Sequence, residues 1–397
     1  MAQPILRKEL FDLPDDVIYL DGNSLGPLPT AALKRAENVM RREWGVDLIR
    51  AWNTADWMTL PQKVGDKIAP LIGAPAGSIA TGDTLSIKVF QALGAALKMR
   101  PDRRVILSDN GNFPTDLYMA QGLVDALDQD YELKTPAPED VIDAIDASVA
   151  VVMLTHVDYR SGRLHDMSEI TKRAHDAGAI VIWDLAHSAG AMPIDLAKCH
   201  AEFAVGCTYK YLNGGPGSPA FIYVRPDIAD QVKPILAGWM GHTAPFAMDS
   251  KYQPASATER LRVGTPPIIQ LSVLDTALDI WTDVDLHQVR DASIELSELF
   301  IQEVEARCPQ LKLASPRNAD QRGSQVSFRF EQGYAAMQAL VDHGVIGDFR
   351  APNIMRFGFT PMYLNKSDVL KASDVIEDII SNEIWKRPKY QTVSLVT

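Results

Sequence analysis

Apolar positions in this chain follow two rhythms. Short unbroken runs alternate with amphipathic stretches of helical period; the runs are Arg104-Val-Ile-Leu-Ser, Ala150-Val-Val-Met-Leu-Thr, Ala179-Ile-Val-Ile-Trp-Asp, Phe203-Ala-Val-Gly-Cys and Ala220-Phe-Ile-Tyr-Val. Runs of that length, apolar at every position and rich in β-branched residues, suit strands covered on both faces. The pattern therefore predicts an α/β protein with a mostly parallel sheet between helices. Helices are expected over residues 30 to about 44 and 85–98, and Tyr19 ends a short strand before the turn residues Asp21-Gly-Asn-Ser-Leu-Gly-Pro. Past Pro266 long helices take over, ending in one at 291–308. Gln325-Val-Ser-Phe-Arg-Phe and Ile354-Met-Arg-Phe-Gly-Phe then read as strands of a smaller α+β lobe. A chain of 397 residues exceeds what one core usually serves. The expected division is an N-terminal segment (1–50) packing on the small lobe, a large domain (51–284) and a small C-terminal domain (285–397).

Composition narrows the function classes. With 46% hydrophobic and 23% charged residues the chain is of ordinary globular type, and its net charge of −12 is interspersed, with no basic stripe to suit a nucleic acid. The start, MAQPILRKELFDLPDD, is charged where a signal peptide needs an apolar run, and no apolar stretch is long enough to span a bilayer. Three cysteines, Cys199, Cys207 and Cys308, suit buried packing in a reducing compartment rather than a disulfide framework. A cytoplasmic protein is expected, without nucleic-acid or membrane partners.

Chemistry concentrates between Trp183 and Gly217. Asp184 closes one apolar run and is followed by Leu-Ala-His187; a second run leads into Cys207-Thr-Tyr209-Lys210-Tyr-Leu-Asn-Gly-Gly-Pro-Gly. Ligands of open α/β sheets bind at the carboxyl ends of strands, where a desolvated Asp faces a cation and a desolvated Lys becomes a nucleophile. Taken singly, a strand-end Asp is more commonly a helix cap, and a Lys before glycines more commonly a surface residue. The ordered set, however, resembles the fold-type-I arrangement of pyridoxal-phosphate (PLP) enzymes. No dinucleotide or P-loop fingerprint competes, and His156, His165, His175 and His187 lack metal-ligand spacing, so no metal is expected. His165 and His175 read as surface or helix residues.

Seven motifs in order resemble those of the kynureninases. They are Asp21-Gly-Asn-Ser-Leu-Gly, Asn112-Phe-Pro-Thr-Asp116-Leu-Tyr, Trp183-Asp-Leu-Ala-His187, Thr208-Tyr-Lys-Tyr-Leu-Asn-Gly-Gly, Gly238-Trp-Met-Gly-His, Arg262-Val-Gly-Thr-Pro-Pro and Met355-Arg-Phe-Gly-Phe-Thr-Pro-Met-Tyr-Leu. The resemblance implies a fold-type-I α/β protein with a large, mostly parallel sheet of seven-stranded type and a small α+β domain. It implies PLP-dependent hydrolysis of L-kynurenine to anthranilate and L-alanine, in tryptophan breakdown and the supply of NAD precursors. It further implies that Lys210 carries the cofactor, Asp184 holds its pyridine nitrogen, and Tyr209 relays a proton. Leu85, Ser86, Phe113, Asp116, Thr155 and His187 complete the cofactor shell, and a homodimer brings Trp239 and Thr265 from the partner subunit. Ser24, Trp52 and Arg356 match the substrate end; animal members place a His and an Asn where Trp52 and Thr265 stand, which implies preference for kynurenine over its 3-hydroxylated form. A lone Trp is usually core, a Phe before Pro a loop anchor, and a buried Arg as often part of a structural ion pair. A cysteine desulfurase-like lyase or an aminotransferase is the alternative, although Cys308, at a helix end before Pro309, is poorly placed as a mobile nucleophile.

Overall fold

The structure, a computed structural model, describes residues 5–392; positions 1–4 and 393–397, which the expected terminal segments include, lie outside the described residues. The apolar runs become a seven-stranded sheet. In chain order its strands are β1 (Ile79–Thr81), β2 (Val105–Leu107), β3 (Glu132–Lys134), β4 (Val149–Thr155), β5 (Ile180–Asp184), β6 (Phe203–Gly206) and β7 (Phe221–Val224). Their spatial order is β1-β7-β6-β5-β4-β2-β3. Every residue of β4, β5, β6 and β7 is buried, because helices such as α2 (Leu85–Met99) and α4 (Met167–Asp176) pack on the sheet's faces. β7 departs from the parallel rule: it is antiparallel to both neighbours, so β1 runs parallel to β6. The carboxyl ends of β1, β2, β4, β5 and β6 therefore share one edge.

The amphipathic stretch at 30–44 differs from expectation. It is α-helical only over α1 (Thr30–Asn38) and continues as a π-helix over Val39–Asp47. The wider turn carries Glu43 inward, where Arg35, Asn38 and the indole N–H of Trp57 all donate to it. Burying a carboxylate requires such partners, and they outweigh regular helical bonding there.

The C-terminal region has its own sheet, β8 (Lys312–Leu313), β9 (Gln325–Arg329), β10 (Asp348–Arg350) and β11 (Ile354–Gly358), in the order β10-β11-β9-β8 and antiparallel throughout. The helix expected at 291–308 begins earlier, as α5 (Leu286–Arg307), because Asp285 caps it by accepting from the His287 N–H. Phe300 of α5 is fully buried against Phe328, Phe357 and Phe359. Ile18–Tyr19 pairs in parallel with Val345–Ile346, which brings the Asp21 turn to the end of β11. There the Gly358 N–H donates to the Leu20 carbonyl.

Candidate active site

Five strand ends deliver the site. Asp184 is the last residue of β5 and lies in register with Thr155, the last of β4. Both are buried, and one Asp184 oxygen accepts from the Ala186 N–H at 2.8 Å. The loop after β2 supplies Asn112 and Phe113, the latter at the start of α3 (Pro114–Leu127) and set edge-on to Tyr159. The loop after β6 supplies Tyr209 and Lys210, anchored from below: Gly214 N–H donates to Thr208 O, and the Asn213 amide to Pro27 O. The Gly26 N–H donates to the Tyr209 carbonyl, and a Cβ at Gly26 would sit 2.2 Å from Lys210 O, so only glycine allows this approach.

Lys210 is the centre of the group. Burial pulls its amine below the usual lysine value, and Nζ lies 2.8 Å from His187 Nε2. His187 is itself held well below its ordinary value, first by burial and then by the Lys210 charge, so it is the neutral acceptor. Its proton is then on Nδ1, which is buried and has no partner. Beside it two carboxyls meet: burial raises Asp184 to about 6, and burial plus the Asp184 charge raises Asp116 well above its ordinary value. Asp116 accordingly carries a proton, which it gives to Asp184, while its other oxygen stays unpartnered. The Tyr209 phenol is pushed upward by the adjacent Cys207 and by burial, and remains protonated. Thr155 Oγ1 donates to Val157 O. At the end of β1, Thr84 caps α2 by accepting from the Ile87 N–H, while the Leu85 and Ser86 N–H groups of the first turn have no helical carbonyl to reach.

Arg356 differs from expectation. Its Nε–Nη2 fork is occupied by Asp348, Nη1 donates to Tyr159 O, and Nη2 lies 2.9 Å from Ser24 Oγ. Trp52, Trp239 and Thr265 have no hydrogen bond or ring contact with the Lys210 group among the described residues. Trp52 packs edge-on to Trp57, Trp239 is 41% exposed, and Thr265 is exposed. His165, expected as a surface or helix residue, is neither: it is buried just before α4 and bonded to Asp109 at 2.7 Å. His175 is half-buried on α4 and paired with Glu202. Sequence reasoning missed Cys207, Tyr159, Asp21 and Asp348; Cys207 and Asp21 sit inside quoted motifs, whereas nothing local marks Tyr159 or Asp348.

Residues 289–376 match the Kynureninase C-terminal domain, and 83–203 the DegT/DnrJ/EryC1/StrS aminotransferase family. A protein named Kynureninase from Burkholderia pseudomallei (strain 1106a) is 50% identical, covering 98% of this chain and 95% of the relative. The chain belongs to the kynureninase family. A Pseudomonas fluorescens kynureninase is 48% identical over the same shares. The backbone is similar to the apo cysteine desulfurase of Thermococcus onnurineus NA1 (TM-score 0.81, 21% identity, 96% of this chain and 100% of that one). It is also similar to the Escherichia coli cysteine desulfurase CsdA (0.79, 19%, 94% and 98%). At those identities the likeness concerns the fold, which is fold type I. As a kynureninase-family member the protein is a PLP-dependent enzyme. Its residues fit that cofactor: a half-buried lysine amine, an acceptor oxygen on Asp184, an orphaned His187 Nδ1–H and the open N–H groups of α2 lie around one strand edge. Cys308 does not suit a desulfurase nucleophile, because it is fully buried and its pKa is pushed up to about 11 by that burial.

Proposed function

We propose that this kynureninase-family enzyme adds water to L-kynurenine and releases anthranilate and L-alanine, in tryptophan catabolism within the cytoplasm. The observation that carries the reading is Lys210 Nζ, half-buried at the carboxyl edge beside a neutral His187 and the Asp184–Asp116 pair. Bound PLP supplies the electron sink that lets the bonds at the substrate's α-carbon ionise. Asp184 holds the proton of the pyridine nitrogen, and Asp116, by donating to Asp184, keeps that carboxylate oriented. Phe113 covers a ring face, while Leu85 and Ser86 N–H groups, with Thr155 and Tyr209, take the phosphate at a helix N-terminus. Lys210 would hold the cofactor, and its Nζ is the base placed to take the substrate's α-proton, with His187 Nε2 keeping that amine aimed at the site. Tyr209, held protonated, is placed to deliver a proton to the β-carbon that becomes the methyl group of alanine. Ser24 and Arg356 anchor the substrate α-carboxylate.

Trp239 and Thr265 belong to the same reading as residues lent to the partner's site in a homodimer. Supporting it, Trp239, Phe246 and Met248 are exposed on one stretch of chain, and Trp44, Val46 and Ile49 along and just past the π-helix, which suits surfaces covered by a second chain. The division near residue 284 also belongs to it, with the Asp21 turn and Arg356 bringing the small lobe to the cleft. Trp52 and Thr265 in place of paired polar groups favour the unsubstituted ring, by about 100-fold at most if apolar contact alone rejects a hydroxyl. The test is alanine and anthranilate release from L-kynurenine, with 3-hydroxykynurenine and cysteine run in parallel. Alanine from cysteine but none from kynurenine would overturn the activity, and an equal or larger kcat/KM for the hydroxylated compound would overturn the preference alone.

A further inference from the structure

We propose that Asp348 is a positioning residue that turns Arg356 so that its end-on Nη1–Nη2 edge, rather than its Nε–Nη2 fork, meets the substrate carboxylate. The proposal rests on Arg356 being the carboxylate anchor. Asp348 and Arg356 are register partners across the antiparallel pair β10–β11, so their side chains share one face of the small sheet, and both are buried. The Asp348 carboxylate takes Nε and Nη2 with one oxygen each. The second Nη2 proton goes to Ser24 Oγ, and one Nη1 proton goes to Tyr159 O. Of the five guanidinium N–H groups four are thus engaged, and one on Nη1 remains.

Ser24 Oγ is the exchangeable partner, since it accepts from Arg356 Nη2 while donating to Asp348. A carboxylate arriving at that edge meets the free Nη1 proton and the Nη2 proton that Ser24 now holds. Asp348 has two further effects. It keeps the guanidinium paired, and therefore in place, before substrate arrives, where an unpaired buried cation would be strongly disfavoured. It does so without neutralising the site, because Arg350 lies 2.9 Å from the same carboxylate and supplies a second cation.

The test compares Asp348→Asn with Arg356→Lys in the PLP-loaded enzyme. An asparagine offers one acceptor and sets an amide N–H against the guanidinium, breaking the fork at one end. The expected result for Asp348→Asn is a KM for L-kynurenine raised about tenfold or more with kcat changed by less than about threefold. Product inhibition by L-alanine, which carries the α-carboxylate, weakens in step, whereas inhibition by anthranilate is unchanged. If the asparagine variant does not fold, Asp348→Glu is measured in the same way; its longer arm displaces the fork and is expected to shift KM and alanine inhibition in the same direction. Unchanged KM and alanine inhibition in the folded Asp348 variant, with Arg356→Lys impaired in both, would overturn the proposal and leave Arg356 as the anchor. Equal losses for alanine and anthranilate would make Asp348 merely structural and overturn it as well. Arg356→Lys without effect on either readout would remove the anchor itself, and the proposal with it.

Discussion

At the residue scale the site is a set of groups whose charges are decided by burial, and each is separately testable. Lys210→Ala is expected to abolish turnover in a folded protein, and borohydride treatment of the wild type should fix the cofactor to the peptide containing Lys210; a tag on another lysine would refute the assignment. Asp184→Asn should lose most activity, since an amide cannot hold a pyridinium proton by charge, and near-normal turnover would remove it from the mechanism. Asp21 gives a pH prediction. Burial first, then the Asp348 charge, raises its carboxyl to about 7, against the lowering effects of Ser24, Arg356 and Arg350; Tyr19 and Tyr363 also face it. Its folded value stands above that of an unfolded chain. The stability it contributes is therefore present at low pH and lost as pH rises through 7. Above 7 its new negative charge also offsets Arg356 and Arg350, so KM for kynurenine should rise there. Asp21→Asn should flatten that rise, and an identical pH profile in the variant would exclude Asp21.

At the element scale, strand ends place the chemistry and one helix stiffens the lobe that carries Arg356. Phe300 of α5 lies 5.0 Å and 5.1 Å, ring centre to ring centre, from Phe357 and Phe359, which flank the end of β11. Phe300→Ala should destabilise the protein by about 3–5 kcal/mol, and denaturant melts would read it; a loss below about 1 kcal/mol would mean the lobe repacks freely. The sheet was legible because β4, β5 and β6 are apolar at nearly every position, and Asp184 and Lys210 because each follows such a run. The antiparallel turn of β7 was not, since an apolar run looks alike in either direction. The π-turn at Val39–Asp47 escaped because its cause, a buried Glu43 shared by Arg35 and Trp57, is tertiary. Asp348 escaped for the same reason: it is one acid among many until β10 lays it across from Arg356.

At the scale of the whole molecule, the proposed reading divides each site between two chains. Lys210, Asp184, Asp116, His187 and Tyr209 converge on one strand edge, while Trp239 and Thr265 make no hydrogen bond or ring contact with that group among the described residues. A side chain as large as Trp239, exposed beside Phe246 and Met248, is poorly explained by a monomer. A two-fold dimer resolves both facts, because an isologous interface carries each chain's loop to the other's cleft. The hypothesis makes a prediction that no monomeric enzyme can meet. Chains bearing Lys210→Ala and chains bearing Trp239→Ala should each form nearly inactive dimers. Unfolded together, refolded and loaded with PLP, they should produce hybrids in which one of the two clefts takes its intact lysine from the Trp239→Ala chain and its intact tryptophan from the Lys210→Ala chain. Random assortment makes about half the dimers hybrid with one good site of two, so about a quarter of wild-type activity should return. Recovery depends on subunit exchange, so mixing the folded dimers at high concentration without unfolding should restore less. If Trp239 served its own chain's cleft, each hybrid would instead contain one site lacking the lysine and one lacking the tryptophan. The mixture would then be no more active than the average of its parents.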